Sequence, residues 1–286
     1  MNKREISKLF KKALNLKVNR ITDKSVGWDQ EVKIVETENG KYVAKFPKEE
    51  REILFREKFG TEQYSKAGIP VPKIIYCDKK CIIEEFIEGT SLDKAKLNKE
   101  ECKKIYFDLG RLMKRMQKIK SKGYGKILLS GKGRYKTQKK ANTHLFKKRI
   151  KLLEKSAQFS PEEIKKIKKY YKKNAKKFST GKARLLHYDL CSDNIIIKKN
   201  EIAAIIDFGD LFSGPPSCNF VTPYINHFED HKFEQIRKGY GKINLEEIKF
   251  YAFFKLTRRI ARHKTHPYKK RRFERFMKLY KEIVGF

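Results

Sequence analysis

Hydrophobic positions change period several times along this 286-residue chain. Ile6, Leu9, Phe10 and Leu14 recur at helical spacing, predicting a short amphipathic helix over 3–15. From Arg20 the texture turns to short β-like runs: 31–36 (EVKIVE) and 41–46 (KYVAKF) flank Asn39-Gly40, a hairpin signal. A charged, periodic helix is predicted over 49–67, stopped by Gly68-Ile69-Pro70-Val71-Pro72. Two further apolar runs, 73–77 and 81–86 around Asp78-Lys79-Lys80, complete a small sheet with one inserted helix. Past Gly89 the pattern becomes helical over 98–120, passes through a glycine-rich loop at 123–133, and is helical again over 140–177. Ser160, Pro161 and Glu163 spell a helix start with a capping box. One β island, 195–197 and 202–206 around Lys199-Asn200, interrupts this half, and helices return over 245–260 and 268–285.

Composition narrows the class. An apolar content of 39%, with 12% aromatic, is enough for a core, so wholesale disorder is excluded. No apolar run reaches the roughly 18 residues a membrane span needs, and the charged start MNKREISKLFKK lacks the apolar stretch of a signal peptide. The five cysteines, at 77, 81, 102, 191 and 218, show neither paired zinc spacings nor disulfide density. A reducing, cytoplasmic setting is expected. The net charge of +36 invites polyanions, yet 54 of the 70 basic residues are lysines, the signature of a general excess rather than of bidentate phosphate grips.

Three segments carry candidate chemistry. His187-Tyr188-Asp189-Leu190-Cys191-Ser192-Asp193-Asn194 places Asp and Asn five apart on a loop before a β run; Asp207-Phe208-Gly209 ends the next β run; Lys45 closes the 41–46 strand, with Glu57 on the helix beyond. Phosphoryl transfer from a nucleotide asks for such a set: an Asp for the acceptor hydroxyl, an Asn and a second Asp for magnesium, and a lysine on the phosphates steadied by a helix carboxylate. H-x-D-x-x-x-x-N followed 13 residues later by D-F-G keeps both the spacing and the intervening hairpin. Taken singly, Asp189, Asn194 and Asp207 are also ordinary turn formers, and Glu57 competes with Glu49, Glu50, Glu52 and Glu62. Ser25 and Gly27, in SVGWDQ, are the candidate phosphate loop, with one glycine where such loops usually have more.

In this order the motifs resemble the aminoglycoside phosphotransferase and choline kinase group, the small-molecule branch of the protein-kinase-like fold. VAKF, REKFGTEQYSKAGIPVP, CIIEEFIEGTSL, KGYGKI, HYDLCSDNII and AAIIDFGD carry the resemblance over nearly the whole length. It implies an α+β, two-lobe fold: a small β-rich N-lobe with one helix, 1–87, binding the nucleotide, and a mainly helical C-lobe, 88–286, with the catalytic loop, metal site and acceptor helices. It further implies Asp189 as catalytic base, Asn194 and Asp207 as Mg2+ ligands, Lys45 with Glu57 on the phosphates of ATP, and backbone near Glu85 and Ile87 on the purine. Glu84, polar at the position guarding the purine, leaves GTP open as donor. Tyr188 and Cys191 stand where protein kinases have an arginine and a lysine, and no A-P-E follows, which favours a small-molecule acceptor. Pro215-Pro216 and Asn219 depart from the family's Asp-Pro and later structural Asp.

The acceptor is less legible. Asp210, Glu229, Asp230 and Glu234 are candidate carboxylates for a cationic sugar or amine, and equally ordinary solvated helix residues. The alternative acceptor is RNA: Arg258, Arg259, Arg262, Arg271, Arg272 and Arg275, six of the sixteen arginines, crowd into 255–278 with Tyr268 and Phe273 interleaved.

Overall fold

The computed structural model of the chain describes residues 1–26, 29–50, 52–178, 180–263, 265 and 268–286, with Ser25 and Val26 described in their backbone alone. In chain order the elements are α1 (Lys3–Leu14), β1 (Val18–Val26), β2 (Gln30–Thr37), β3 (Gly40–Pro47), α2 (Glu52–Lys66), β4 (Ile74–Cys77), β5 (Ile82–Glu85) and β6 (Thr90–Ser91). There follow α3 (Lys99–Met116), β7 (Tyr124–Ile127), β8 (Gly133–Tyr135), α4 (Gln138–Ser156), α5 (Pro161–Ala175), β9 (Arg184–Leu186), β10 (Ile195–Lys198) and β11 (Glu201–Ile205). The chain closes with β12 (Phe212–Gly214), α6 (Val221–His227), α7 (His231–Tyr240), α8 (Leu245–Ala261) and α9 (Lys270–Val284). These elements form two compact units, residues 1–97 with 192–211, and 98–191 with 212–286.

The first unit is built on an antiparallel sheet in the order β1-β2-β3-β5-β4. Period-two alternation buries Val35, Ala44, Phe46 and Ile83 on one face, where Ile6 and Phe10 of α1 cover them. Each of the valine, isoleucine and phenylalanine side chains contributes about 1.5–3 kcal/mol when fully buried. A second sheet, β11-β10-β6, holds the β island. Its turn residues Lys199 and Asn200 both have positive φ, 50° and 58°, the geometry of a two-residue hairpin turn whose twist suits the strands. At Gly89, φ is +140°, and a Cβ there would lie 2.5 Å from the Ile197 carbonyl oxygen, so only glycine allows this approach.

The second unit is mainly helical, with α3 packed along α7, and α4 and α9 on α8. Its core is aromatic: the Phe146 and Tyr171 rings stack 3.8 Å apart, and Phe253 stacks on Tyr280 at 5.6 Å. The helical stretch expected over 140–177 is two helices, because Ala157 turns left-handed and Ser160 starts afresh. Ser160 Oγ accepts from the Glu163 N–H, and the Glu163 carboxylate accepts from the Ser160 N–H, the reciprocal cap the sequence spells. The loop expected over 123–133 is partly strand: β7 and β8 pair with each other, and β12 and β9 extend them to the order β8-β7-β12-β9. Among the described residues no helix is long and apolar enough to cross a membrane.

Candidate active site

Lys45 lies on β3 opposite Ile82 of β5, while Val43 pairs with Glu84, so Lys45 and Glu84 are diagonal neighbours on one face of the sheet. Three charged side chains meet on this face: Lys45 is 5% exposed, Glu57 1% and Glu84 3%. Lys45 Nζ donates to Glu57 Oε1 at 2.5 Å and lies 2.8 Å from Glu84 Oε1. Burial pulls the Lys45 pKa down, but the charges of Glu57, Glu84 and Asp207 outweigh it and hold the ammonium above its usual range. Glu57 is distinguished from its competitors by placement. Glu50 and Glu52 pair with Arg56, Glu62 pairs with Lys58, and Glu49 is exposed. Leu54 and Gly60 are buried with Glu57, whereas Lys58 is 45% exposed.

The D-F-G segment is tied to α2 within the same unit. Phe208 is fully buried, stacks on Tyr64 at 5.1 Å, and gives a backbone hydrogen bond to Glu57. A Cβ on Gly60 would lie 2.7 Å from Phe208 Cβ, so the helix needs glycine where the ring rests. Arg56, fully buried, donates through Nε to the Gly209 carbonyl at 2.7 Å and pairs with Glu50 at 3.0 Å.

The β10–β11 register explains why Asn194 and Asp207 belong together. Ile195 pairs with Ile205, and the Ile206 N–H donates to the Asn194 carbonyl at 3.0 Å, so the hairpin's open end brings Asn194 beside the residue preceding Asp207. Asp207 itself has φ 68°. An amide oxygen and a carboxylate are hard oxygen donors, and the charge of Asp207 acts on Lys45 alongside those of Glu57 and Glu84. This donor set fits Mg2+.

Asp189 belongs to the second unit. Its Oδ1 accepts from Lys255 Nζ of α8 at 2.9 Å and from Thr222 Oγ1 at 3.4 Å. Burial pushes the Asp189 pKa up, but Lys255, then Arg259 and His187, pull it down to about 2. Tyr188 before it is left-handed, φ 68°, a conformation that costs a non-glycine residue on the order of 1–3 kcal/mol. Several contacts hold it: the Tyr188 N–H donates to Asn219 Oδ1 at 3.2 Å, its carbonyl accepts from Lys255 at 2.9 Å, and its ring stacks on Phe212 at 4.5 Å. Asn219 thus serves as an acceptor at the position where the resemblance led one to expect Asp.

Of the remaining candidates, Gly27 and the Ser25 side chain lie outside the described residues. The Glu85 N–H donates to the Lys73 carbonyl at 2.8 Å, and Ile87 lies in the link between β5 and β6.

Residues 21–254 match the sequence model described as the phosphotransferase enzyme family. This chain belongs to the phosphotransferase enzyme family. Solved structures agree on the fold. The streptomycin–ATP ternary complex of APH(2")-IIa is 21% identical with a TM-score of 0.69, covering 100% of this chain and 97% of that one. APH(4)-Ia is 13% identical with a TM-score of 0.80, over 99% and 98%. ADP-bound APH(2'')-Ib is 20% identical with a TM-score of 0.68, over 99% and 97%. The fold of this phosphotransferase family member is therefore the α+β, protein-kinase-like one. No curated protein sequence matches the chain.

Three residues of this phosphotransferase escape a reading of its sequence. Glu84, taken for a guard of the purine, turns to Lys45; the register Val43↔Glu84 is the signal, and it exists only once β3 and β5 are paired. Arg56 bridges 153 residues to Gly209. Lys255 reaches Asp189 from one residue beyond the family match, indistinguishable in the sequence from 53 other lysines.

Proposed function

We propose that this protein is a Mg2+-dependent kinase that moves the γ-phosphate of ATP, or GTP, to a hydroxyl of a small molecule. The observation that carries the reading is the buried Lys45–Glu57 ion pair, bonded in turn to the backbone of Phe208. A lysine held charged and rigid against a helix carboxylate is what neutralising donor phosphates requires. ATP and ADP are bound by the similar APH(2") enzymes. In this reading residues 1–87 bind the nucleotide, with backbone near Glu85 and Ile87 on the purine and Ser25 and Gly27 on the phosphates. Residues 88–286 carry the catalytic loop, the metal ligands and the acceptor helices. Asn194 and Asp207 hold Mg2+, which neutralises charge on the donor phosphates when bound. Asp189, kept ionised by Lys255, orients the acceptor hydroxyl and takes its proton.

The test is transfer of label from γ-labelled ATP into a small-metabolite extract. Asp189→Ala is expected to lose at least about a hundredfold in turnover with ATP affinity nearly unchanged, whereas Asp207→Ala loses magnesium-dependent nucleotide binding as well. Turnover retained in Asp189→Ala removes the assignment of the base.

A further inference from the structure

Three cations occupy one face of α8, and Arg262, its C-cap residue, continues the row. Lys255, Arg258, Arg259 and Arg262 stand at i, i+3, i+4 and i+7, the spacing that aligns side chains along a helix, over about 10 Å. The stripe starts at the candidate base, where Lys255 Nζ is 2.9 Å from Asp189 Oδ1, and Arg259 also acts on the Asp189 charge. Other elements add to it. Lys148 of α4 has its pKa lowered first by burial and then by Arg149, Arg258, Arg262 and Arg134, every one of them positive. Among the described residues, no carboxylate lies within ion-pair distance of Arg258, Arg259, Arg262 or Lys148.

Cations gather at helix C-termini because the helix dipole favours them, which accounts for the arginines of the last turn. It does not account for Lys255 in mid-helix, nor for Lys148 and Arg134 converging from other elements. Arg259 is the most telling of the set. Its guanidinium stands 4.9 Å over the Phe276 ring, its pKa is lowered by burial, and its buried Nη1 has no hydrogen-bond partner among the described residues. A desolvated, oriented guanidinium with an unmatched N–H is suited to an oxyanion. Three of the four candidate carboxylates for a cationic acceptor are engaged elsewhere: Glu229 with Arg275 and Lys278, Asp230 with His227 and the α7 cap, and Glu234 with Arg237, which leaves Asp210 of the other unit. The stripe also lies wholly beyond the family match, which ends at residue 254.

We propose, building on the kinase reading above, that the acceptor is a small alcohol already carrying a phosphate, and that Arg258, Arg259 and Arg262 hold this phosphate while the free hydroxyl meets Asp189. The stripe then selects a phosphomonoester over the neutral or cationic sugar of the same size.

Calorimetric titration tests this on the whole chain, with a non-hydrolysable ATP analogue and Mg2+ in excess to fill the nucleotide site. The probes are ribose 5-phosphate, ribose and kanamycin. Ribose 5-phosphate is expected to bind at least tenfold more tightly than ribose or kanamycin, and Arg259→Gln to lose at least tenfold of that affinity. Arg262→Gln, an exposed position, is expected to lose severalfold and guards against a folding defect in the first variant. Equal binding of ribose and ribose 5-phosphate, tighter binding of kanamycin, or indifference to both substitutions overturns the proposal. A short RNA outcompeting ribose 5-phosphate with the same arginine dependence also overturns it, in favour of RNA. Titration of the ATP analogue alone reports separately on the kinase reading: its failure with the ribose 5-phosphate result intact removes that reading and leaves the anion site.

Discussion

At the scale of single residues, two ion pairs make opposite demands. Asp189 has its pKa lowered from 3.8 to about 2 by Lys255 against the push of burial. A folded pKa below the unfolded one gives stability that is present above the unfolded value and lost as pH falls through about 2, so Asp189 contributes fully at neutral pH. Turnover between pH 4 and 8 is accordingly expected to show no acid limb from this group. Lys255→Met removes the strongest downward pull and leaves the desolvation. The Asp189 pKa then rises past the ordinary carboxylate value, and an acid limb at least about one unit higher enters the pH–rate profile. An unchanged profile in that variant means Lys255 does not set the ionisation of Asp189. Lys45 presents the converse case, a single ammonium between two buried carboxylates. Lys45→Met strands both, and urea unfolding at pH 7 is expected to show a loss of about 3–5 kcal/mol. Because the stranded carboxylates must protonate, the deficit shrinks as pH is lowered toward 5, and a pH-independent deficit points to packing instead.

At the scale of elements, α2 is held to the D-F-G segment by shape as much as by charge. The Gly60 Cα faces the Phe208 ring at a distance no Cβ fits, and Arg56 bonds the Gly209 carbonyl. Gly60→Ala is expected to cost about 1–3 kcal/mol of stability and, by displacing Glu57 from Lys45, at least tenfold in turnover. Phe208→Ala opens the space, so the double variant is expected to be more stable than the sum of the single losses predicts; strict additivity means the two residues do not meet. This contact also shows where sequence reading stops. The Lys199-Asn200 turn and the Ser160 cap are local, and each was legible because its physics acts within a few residues. The strands β9 and β12 are three residues long and exist by pairing with each other, so neither has a period of its own. The helix α6 carries Pro223 and only seven residues, too few for a 3.6-residue pattern to declare itself. Glu84, Arg56 and Lys255 act across register or long sequence separation, which no window along the chain contains.

At the scale of the whole molecule, the charge of +36 and the stripe on α8 separate by experiment. Fifty-four lysines distributed over the sequence give a diffuse positive field; attraction of single-stranded RNA to such a field disregards sequence and weakens as salt rises, with a slope of roughly 0.7 per phosphate neutralised. Replacing Arg258, Arg259 and Arg262 by glutamine changes the net charge only from +36 to +33. If RNA affinity arises from the field, fluorescence anisotropy of a labelled oligouridylate between about 50 and 300 mM salt should show nearly parallel lines for the two proteins, separated by less than about fivefold. The binding of a phosphomonoester in the same triple variant depends on the stripe and falls far more. A tenfold or larger loss of oligouridylate binding, with a shallower slope, places the phosphate contacts on α8 itself and makes RNA the acceptor class that this face selects.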